Sequence, residues 1–163
     1  MANGVDWPEG YDIGMRWMSV ALALIVTLGL SGAIAAQTSM ARLVVEIGGL
    51  RNDGGRLGCL LFASREGFPS EPTRAVGQAN ATPRARRGQC VFENVTPGMY
   101  AVAVHHDEDG DGVFDTGIFG IPLEGVGASR DAHGTMGPPS FEDARIDVPA
   151  GETHIAVHMA YPM

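Results

Sequence analysis

Apolar and polar residues alternate along much of the chain with a period of two, the repeat of a half-buried β-strand. In ARLVVEI, Leu43, Val45 and Ile47 take every second place, and the turn residues Asn52-Asp53-Gly54-Gly55 lead into an apolar run over 57–63. Residues 89–95 and 99–106 form two further strand patterns around Thr96-Pro97-Gly98, where Pro and Gly supply the backbone angles of a tight turn. ARIDV and THIAVHMAY end the series, joined by Pro149-Ala150-Gly151-Glu152. In the last segment Ile155, Val157 and Met159 alternate with His154, Ala156 and His158, which places the two histidines on the polar face. TRAVGQA, residues 73–79, is expected to make a turn or two of helix. No segment after residue 36 carries the 3.6-residue repeat of a long amphipathic helix. Six or seven short strands with turns between them predict an all-β sandwich of about seven strands.

One stretch departs from the alternation. Residues 107–143 are rich in Gly and Pro and poor in strand pattern. Loops of that length in a compact domain are functional or mobile. Phe114, Ile118, Phe119, Ile121 and Phe141 need something to pack against, so the stretch is predicted to be an ordered excursion. Gly117, Gly120, Pro122, Gly125, Pro138 and Pro139 are expected to shape it.

The excursion begins in HHDEDGDGVFD, residues 105–115, with five acids and no Arg. Asp107, Asp109 and Asp111 are spaced two apart and Gly112 follows, the opening of the calcium-loop pattern D-x-[DN]-x-[DN]-G. Alternate residues of a curled loop aim their oxygens at one centre, and Gly permits the turn. The expected Ca²⁺ ligands are Asp107, Asp109, Asp111, the Val113 carbonyl and Asp115, since hard carboxylate oxygens favour Ca²⁺ over transition metals. The twelfth position, where a bidentate Glu closes a helix–loop–helix site, is Ile118. An oxygen from Glu124, Asp131, Glu142 or Asp143 would then have to complete the shell. The competing reading is an acidic turn facing water. Strand alternation puts His106 on the Val104 side, at the edge of the core beside the loop, where it is expected to orient a ligating carboxylate. A transition-metal site from His106, Asp107 and His133 is the alternative use of the histidines.

Charge narrows the classes of partner. The net charge is −8, all 11 basic residues are Arg, and the one basic cluster, Arg84, Arg86 and Arg87, sits in a turn beside Pro83 and Gly88. A nucleic-acid polyanion would be repelled, so no nucleic-acid partner is expected. Residues 15–36 run Arg, apolar stretch, then Ala33-Ile34-Ala35, the order of a secretory signal with a small-x-small cleavage site. Val20 to Leu30 is short for a bilayer span, which takes about 20 apolar residues; an uncleaved anchor is the alternative. The three acids before the signal, Asp6, Glu9 and Asp12, suit translation starting at Met15. The expected organisation is an extension plus signal peptide over 1–35 and a single β-sandwich domain over 36–163, with no membrane span in the exported domain. In a periplasmic or extracellular setting Cys59 and Cys90, both in strand-like segments, are expected to form one disulfide; two buried free thiols are the alternative.

Several motifs in order resemble one bacterial exported family. They are G-F-P at 67–69, P-G-x-Y-A-V-A-V at 97–104, H-D-E-D-G-D-G-x-x-D at 106–115, G-I-P-x-E-G at 120–125 and G-P-P-S-F at 137–141. The family is domain of unknown function 2141, and the similarity spans about residues 41–161. It places His106, Asp107, Asp109, Asp111, Gly112 and Asp115 at the family's loop positions, where Asn often stands for the second and third Asp. This chain departs from the pattern at His105, where an apolar or aromatic residue is expected, and in the Thr-Met that precedes G-P-P-S-F. F-x-N-V-x-P-G-x-Y is also similar to the strand–turn–strand of prealbumin-like and carboxypeptidase-regulatory-like sandwiches. That likeness implies an immunoglobulin/prealbumin-like arrangement in an accessory or binding module.

Three functions follow as expectations. The first is an exported Ca²⁺-stabilised module that binds a protein, envelope or extracellular component through residues 117–141. The second is a metal-dependent hydrolase using His106, His133 and Glu124, although no G-x-S-x-G, HExxH or nucleotide loop is present. The third is a structural part of an envelope or matrix, which predicts an exposed apolar patch on the excursion.

Overall fold

The computed structural model describes residues 39–135 and 137–161; the expected signal and its cleavage site lie outside them. Among the described residues no helix is long and apolar enough to cross a membrane. The described residues form β1 (Ala41–Gly48), β2 (Arg56–Phe62), β3 (Gly77–Ala81), β4 (Gly88–Val95), β5 (Gly98–Asp107), β6 (Gly125–Ala128), β7 (Ile146–Val148) and β8 (Gly151–His158). They make two sheets, ordered β4-β1-β8 and β3-β2-β5-β6, with β7 pairing the start of β5. The first and last strands run parallel, Val45 opposite Ile155, and the other strand pairs are antiparallel. The architecture is the all-β sandwich that the alternation predicts, with eight strands.

Period-two patterning decides which side chains meet between the sheets. Leu43, Val45 and Ile47 of β1 face Leu57, Cys59 and Leu61 of β2 and Val102 and Val104 of β5, all buried. Cys59 in one sheet is bonded to Cys90 in the other, with Cα atoms 6.5 Å apart and a sequence separation of 31. A crosslink closing a loop of that size stabilises the fold by about 3–4 kcal/mol on the chain-entropy model.

The outer face of the larger sheet carries a second, smaller core. Ala101, Ala103 and Ala128 leave room over the strands, and Phe62, Phe141 and Ala144 fill it. Phe68 packs edge-on to Phe62 and Phe141, with centroids 5.4 and 6.0 Å away. Phe141 opens the four-residue helix α1 (Phe141–Ala144), whose first turn is capped by Ser140 Oγ accepting from the Asp143 amide. Phe141 and Ala144, with Ala132 packed at their edge, thus cover that face of the sheet.

Two local expectations change. Residues 73–79 do not make a turn or two of helix: Pro72–Arg74 forms one 3-10 turn, and Gly77–Ala81 becomes β3. The open edge of β2 supplies ladder partners there, Cys59 opposite Ala79. The second surprise is β6, hidden in GVGA by small residues. A Cβ on Gly127 would come within 2.8 Å of Val157, so close approach to β8 requires glycine.

Candidate functional site

The acidic loop leaves β5 at Asp107 and is built by its own carboxylates. Asp107 is buried, and its Oδ1 accepts from the Gly110 amide at 2.8 Å. Its Oδ2 accepts from the Gly112 amide at 3.0 Å and from Arg56 Nε at 2.8 Å. Asp109 Oδ1 accepts from the Asp111 amide and Asp111 Oδ1 from the Val113 amide, two successive Asx turns. Gly112 holds φ +83°, the positive value foreseen for the turn.

The turn before β2 supports this loop from beneath. Gly55, at φ +59°, approaches so closely that a Cβ would fall 1.8 Å from the Asp107 carbonyl oxygen. Arg51 and Asn52 reach across to Glu108: Asn52 Nδ2 donates to Oε2 at 2.5 Å and Arg51 Nε to the same oxygen at 2.8 Å. Glu108 Oε1 makes no aligned hydrogen bond, but Arg51 Nη2 stands 2.7 Å away as its ion-pair partner. Arg51 Nη2 also donates to the Leu123 carbonyl at 3.1 Å.

Glu124 closes the loop. It sits just before β6, is 5 % exposed, and accepts from the Glu108 amide at 2.9 Å through Oε1. Its Oε2 accepts from His105 Nε2 at 2.5 Å and from the Asp115 amide at 3.3 Å. One side chain therefore ties the start of the loop, its end and strand β5. Asp107, Asp109 and Glu124 bring one carboxylate oxygen each within 4.8 Å of one another, the arrangement a hard cation takes. Asp111 and Asp115 lie outside that group, and Val113 is exposed beside them. Asp131 instead binds the His158 amide and ring, and Asp143 the Ser140 hydroxyl. Glu142 pairs with Arg145 at 3.0 Å.

The electrostatics record the crowding. Burial works against the charged form of Asp107, but the bonds from Arg56, Gly110 and Gly112 outweigh it and hold the pKa below the ordinary value. Asp115 goes the other way: loss of solvent pushes it up, as do the fields of Asp111, Glu124, Asp109 and Asp107.

The carboxylate-orienting role expected of His106 falls to His105. His106 is fully buried at the core edge, as strand alternation predicts. Its Nε2 donates to the Gly54 carbonyl at 2.9 Å, and its Nδ1 faces the Tyr161 hydroxyl at 2.8 Å. A carbonyl only accepts, so Nε2 carries a proton, and the Tyr161 hydroxyl is the partner of Nδ1. Both nitrogens are thereby used on groups other than carboxylates, which corrects the expectation that His106 orients a ligating carboxylate. His105 orients Glu124 instead, with Phe114 edge-on to its ring at 4.9 Å. The β5–β6 register makes this so: His105 lies opposite Val126, and Glu124, two residues before Val126, shares that face. His133 is exposed, and among the described residues neither it nor His106 joins the carboxylate group. The missed signal was His105 itself, a polar residue on the outer face of a central strand.

A family model described as an uncharacterized protein conserved in bacteria, DUF2141, matches residues 45–156. No curated protein and no solved structure matches the chain. The chain belongs to this bacterial family.

Proposed function

We propose, with membership of that uncharacterised bacterial family as the premise, that the protein is an exported accessory module whose acidic loop is clasped around one Ca²⁺ ion. The convergence of Asp107, Asp109 and Glu124 carries this reading, because Glu124 comes from beyond the loop to the place where a ligand was wanting. An oxygen-only donor set without thiol or imidazole suits Ca²⁺ rather than a transition metal. Asp111, Asp115 and the Val113 carbonyl supply further oxygens nearby. The ion's role is structural: it neutralises carboxylates that otherwise repel one another and fixes the root of the excursion. The signal-like residues 15–36 and the Cys59–Cys90 disulfide support export to the periplasm or beyond. The excursion is then the arm that meets a protein or envelope component.

Calorimetric titration of Ca²⁺ into chelator-treated protein tests the clasp. Extracellular modules bind at roughly 10⁻⁴–10⁻³ M. At tenfold excess over the dissociation constant, binding adds about 1.4 kcal/mol of stability. A melting temperature higher by about 5 °C and slower amide exchange over residues 107–124 are expected. No heat and no shift between Ca²⁺ at about 10 mM, roughly tenfold above that range or more, and chelator would end the proposal.

A further inference from the structure

The first half of the excursion ends in a feature whose apolar side chains the clasp does not use. Residues 115–123 fold back on themselves: the Leu123 amide donates to the Asp115 carbonyl at 3.0 Å and the Gly117 amide to the Ile121 carbonyl at 2.8 Å. Thr116 and Pro122 face each other across this small hairpin. Its root is fixed by Glu124 and by Arg51 on the Leu123 carbonyl, while its tip reaches into solvent. Among the described residues eight large apolar side chains stand exposed, and five of them fall here: Val113, Phe114, Ile118, Ile121 and Leu123. Ile118 is 79 % exposed. Scattered apolar residues need no explanation, but a cluster on a rooted hairpin marks a contact surface.

Charge says what the contact is made with. Residues 107–129 contain six carboxylates and no Arg or Lys. Asp109 and Asp111 are exposed beside the apolar residues. We infer that the 113–123 hairpin docks a basic, amphipathic polypeptide segment, its apolar side chains meeting Ile118 and its neighbours while its cations meet the acidic collar. This rests on the reading of the excursion as the binding arm and names the partner's chemistry. A second copy would bring the same carboxylates together in a two-fold contact. An anionic lipid surface would be repelled. Residues 1–38 of the chain, with three acids and one Arg, lack the charge to occupy the site.

The test uses the purified protein and a labelled amphipathic Leu/Lys peptide, with its Leu/Glu counterpart and anionic or zwitterionic vesicles as controls. Fluorescence anisotropy should show the Leu/Lys peptide binding, more weakly as salt rises, and the other three probes not binding. The double variant Ile118→Ser/Ile121→Ser should lower that affinity about tenfold, the cost of losing buried apolar area, with an unchanged melting temperature. Equal binding of both peptides, vesicle binding without peptide binding, or a variant that binds like the parent overturns the inference. Repeating the titration in Ca²⁺ and in chelator separates it from the clasp. Calcium heat without peptide binding sinks the docking alone; peptide binding without calcium heat sinks the ion alone.

Discussion

The two halves of the long excursion are held by opposite means. The second half is held by Ala128, Phe141 and Ala144, which pack on the outer face of the larger sheet, and the Ser129 hydroxyl is wholly buried. That hydroxyl accepts from the Val102 amide at 2.9 Å and donates to the Ala144 carbonyl at 2.5 Å. Residues 107–124 own almost no buried apolar side chain, and carboxylates accepting from backbone amides give them their shape. Apolar burial is insensitive to salt and to mild acid, whereas a carboxylate scaffold changes with every proton or cation that reaches it. One half is therefore an extension of the core, and the other is a conditional structure mounted beside it.

The largest expected effect lies on the packed side. Phe141→Ala removes the ring that fills the space over Ala101 and Ala103, and should cost about 3 kcal/mol in urea unfolding. The loss should be global, lowering the midpoint for the whole domain. Loosening confined to 125–144 in amide exchange would break the comparison, because the cover would then not be part of the core.

Glu124→Gln makes the opposite test. The amide keeps the shape but turns one oxygen into a donor facing donors, at either the Glu108 amide or the His105 and Asp115 contacts. A mismatch of that kind costs about 2 kcal/mol. It should appear as faster exchange over 107–124 with β1 to β5 still protected. An equal loss of protection throughout the sandwich would show that the acidic loop is core after all.

Acid should sharpen the contrast with a smaller effect. Asp107 and Asp131 both have pKa values below the ordinary one: burial opposes each, but hydrogen bonds from Arg56 and the loop amides, or from His158, prevail. A lowered folded value means the stabilisation is complete above the unfolded pKa of about 3.9 and fades as pH falls through the lower folded one. Asp107 organises a whole loop, whereas Asp131 makes one link to β8. Exchange read by mass spectrometry below about pH 3.9 should accelerate more over 107–115 than over 129–131. The reverse order would argue that the loop has another support.

The smallest effect is expected at the tip. Ile118→Ser removes an exposed side chain and should change stability by less than about 0.5 kcal/mol. A larger thermal shift would mean that Ile118 packs in solution, and the hairpin would lose its claim to be a free contact surface.

Six strands and the curl of the acidic loop were legible in the chain because each rests on local rules, and the disulfide because only two cysteines are present, both in strand-like segments. Period-two burial marks β1, β2, β4, β5, β7 and β8; aspartates two apart with Gly112 mark the turn. What tertiary structure alone decided is pairing. The edge of β2 drew 77–81 into β3, and the edge of β5 drew the featureless GVGA into β6. The second pairing delivered Glu124 to the loop and set His105 rather than His106 beside it. Sequence could name Glu124 among four acids within reach and go no further. Which carboxylate closes a loop depends on the register of a strand too small and too uniform to announce itself, and register is settled by neighbours distant in sequence.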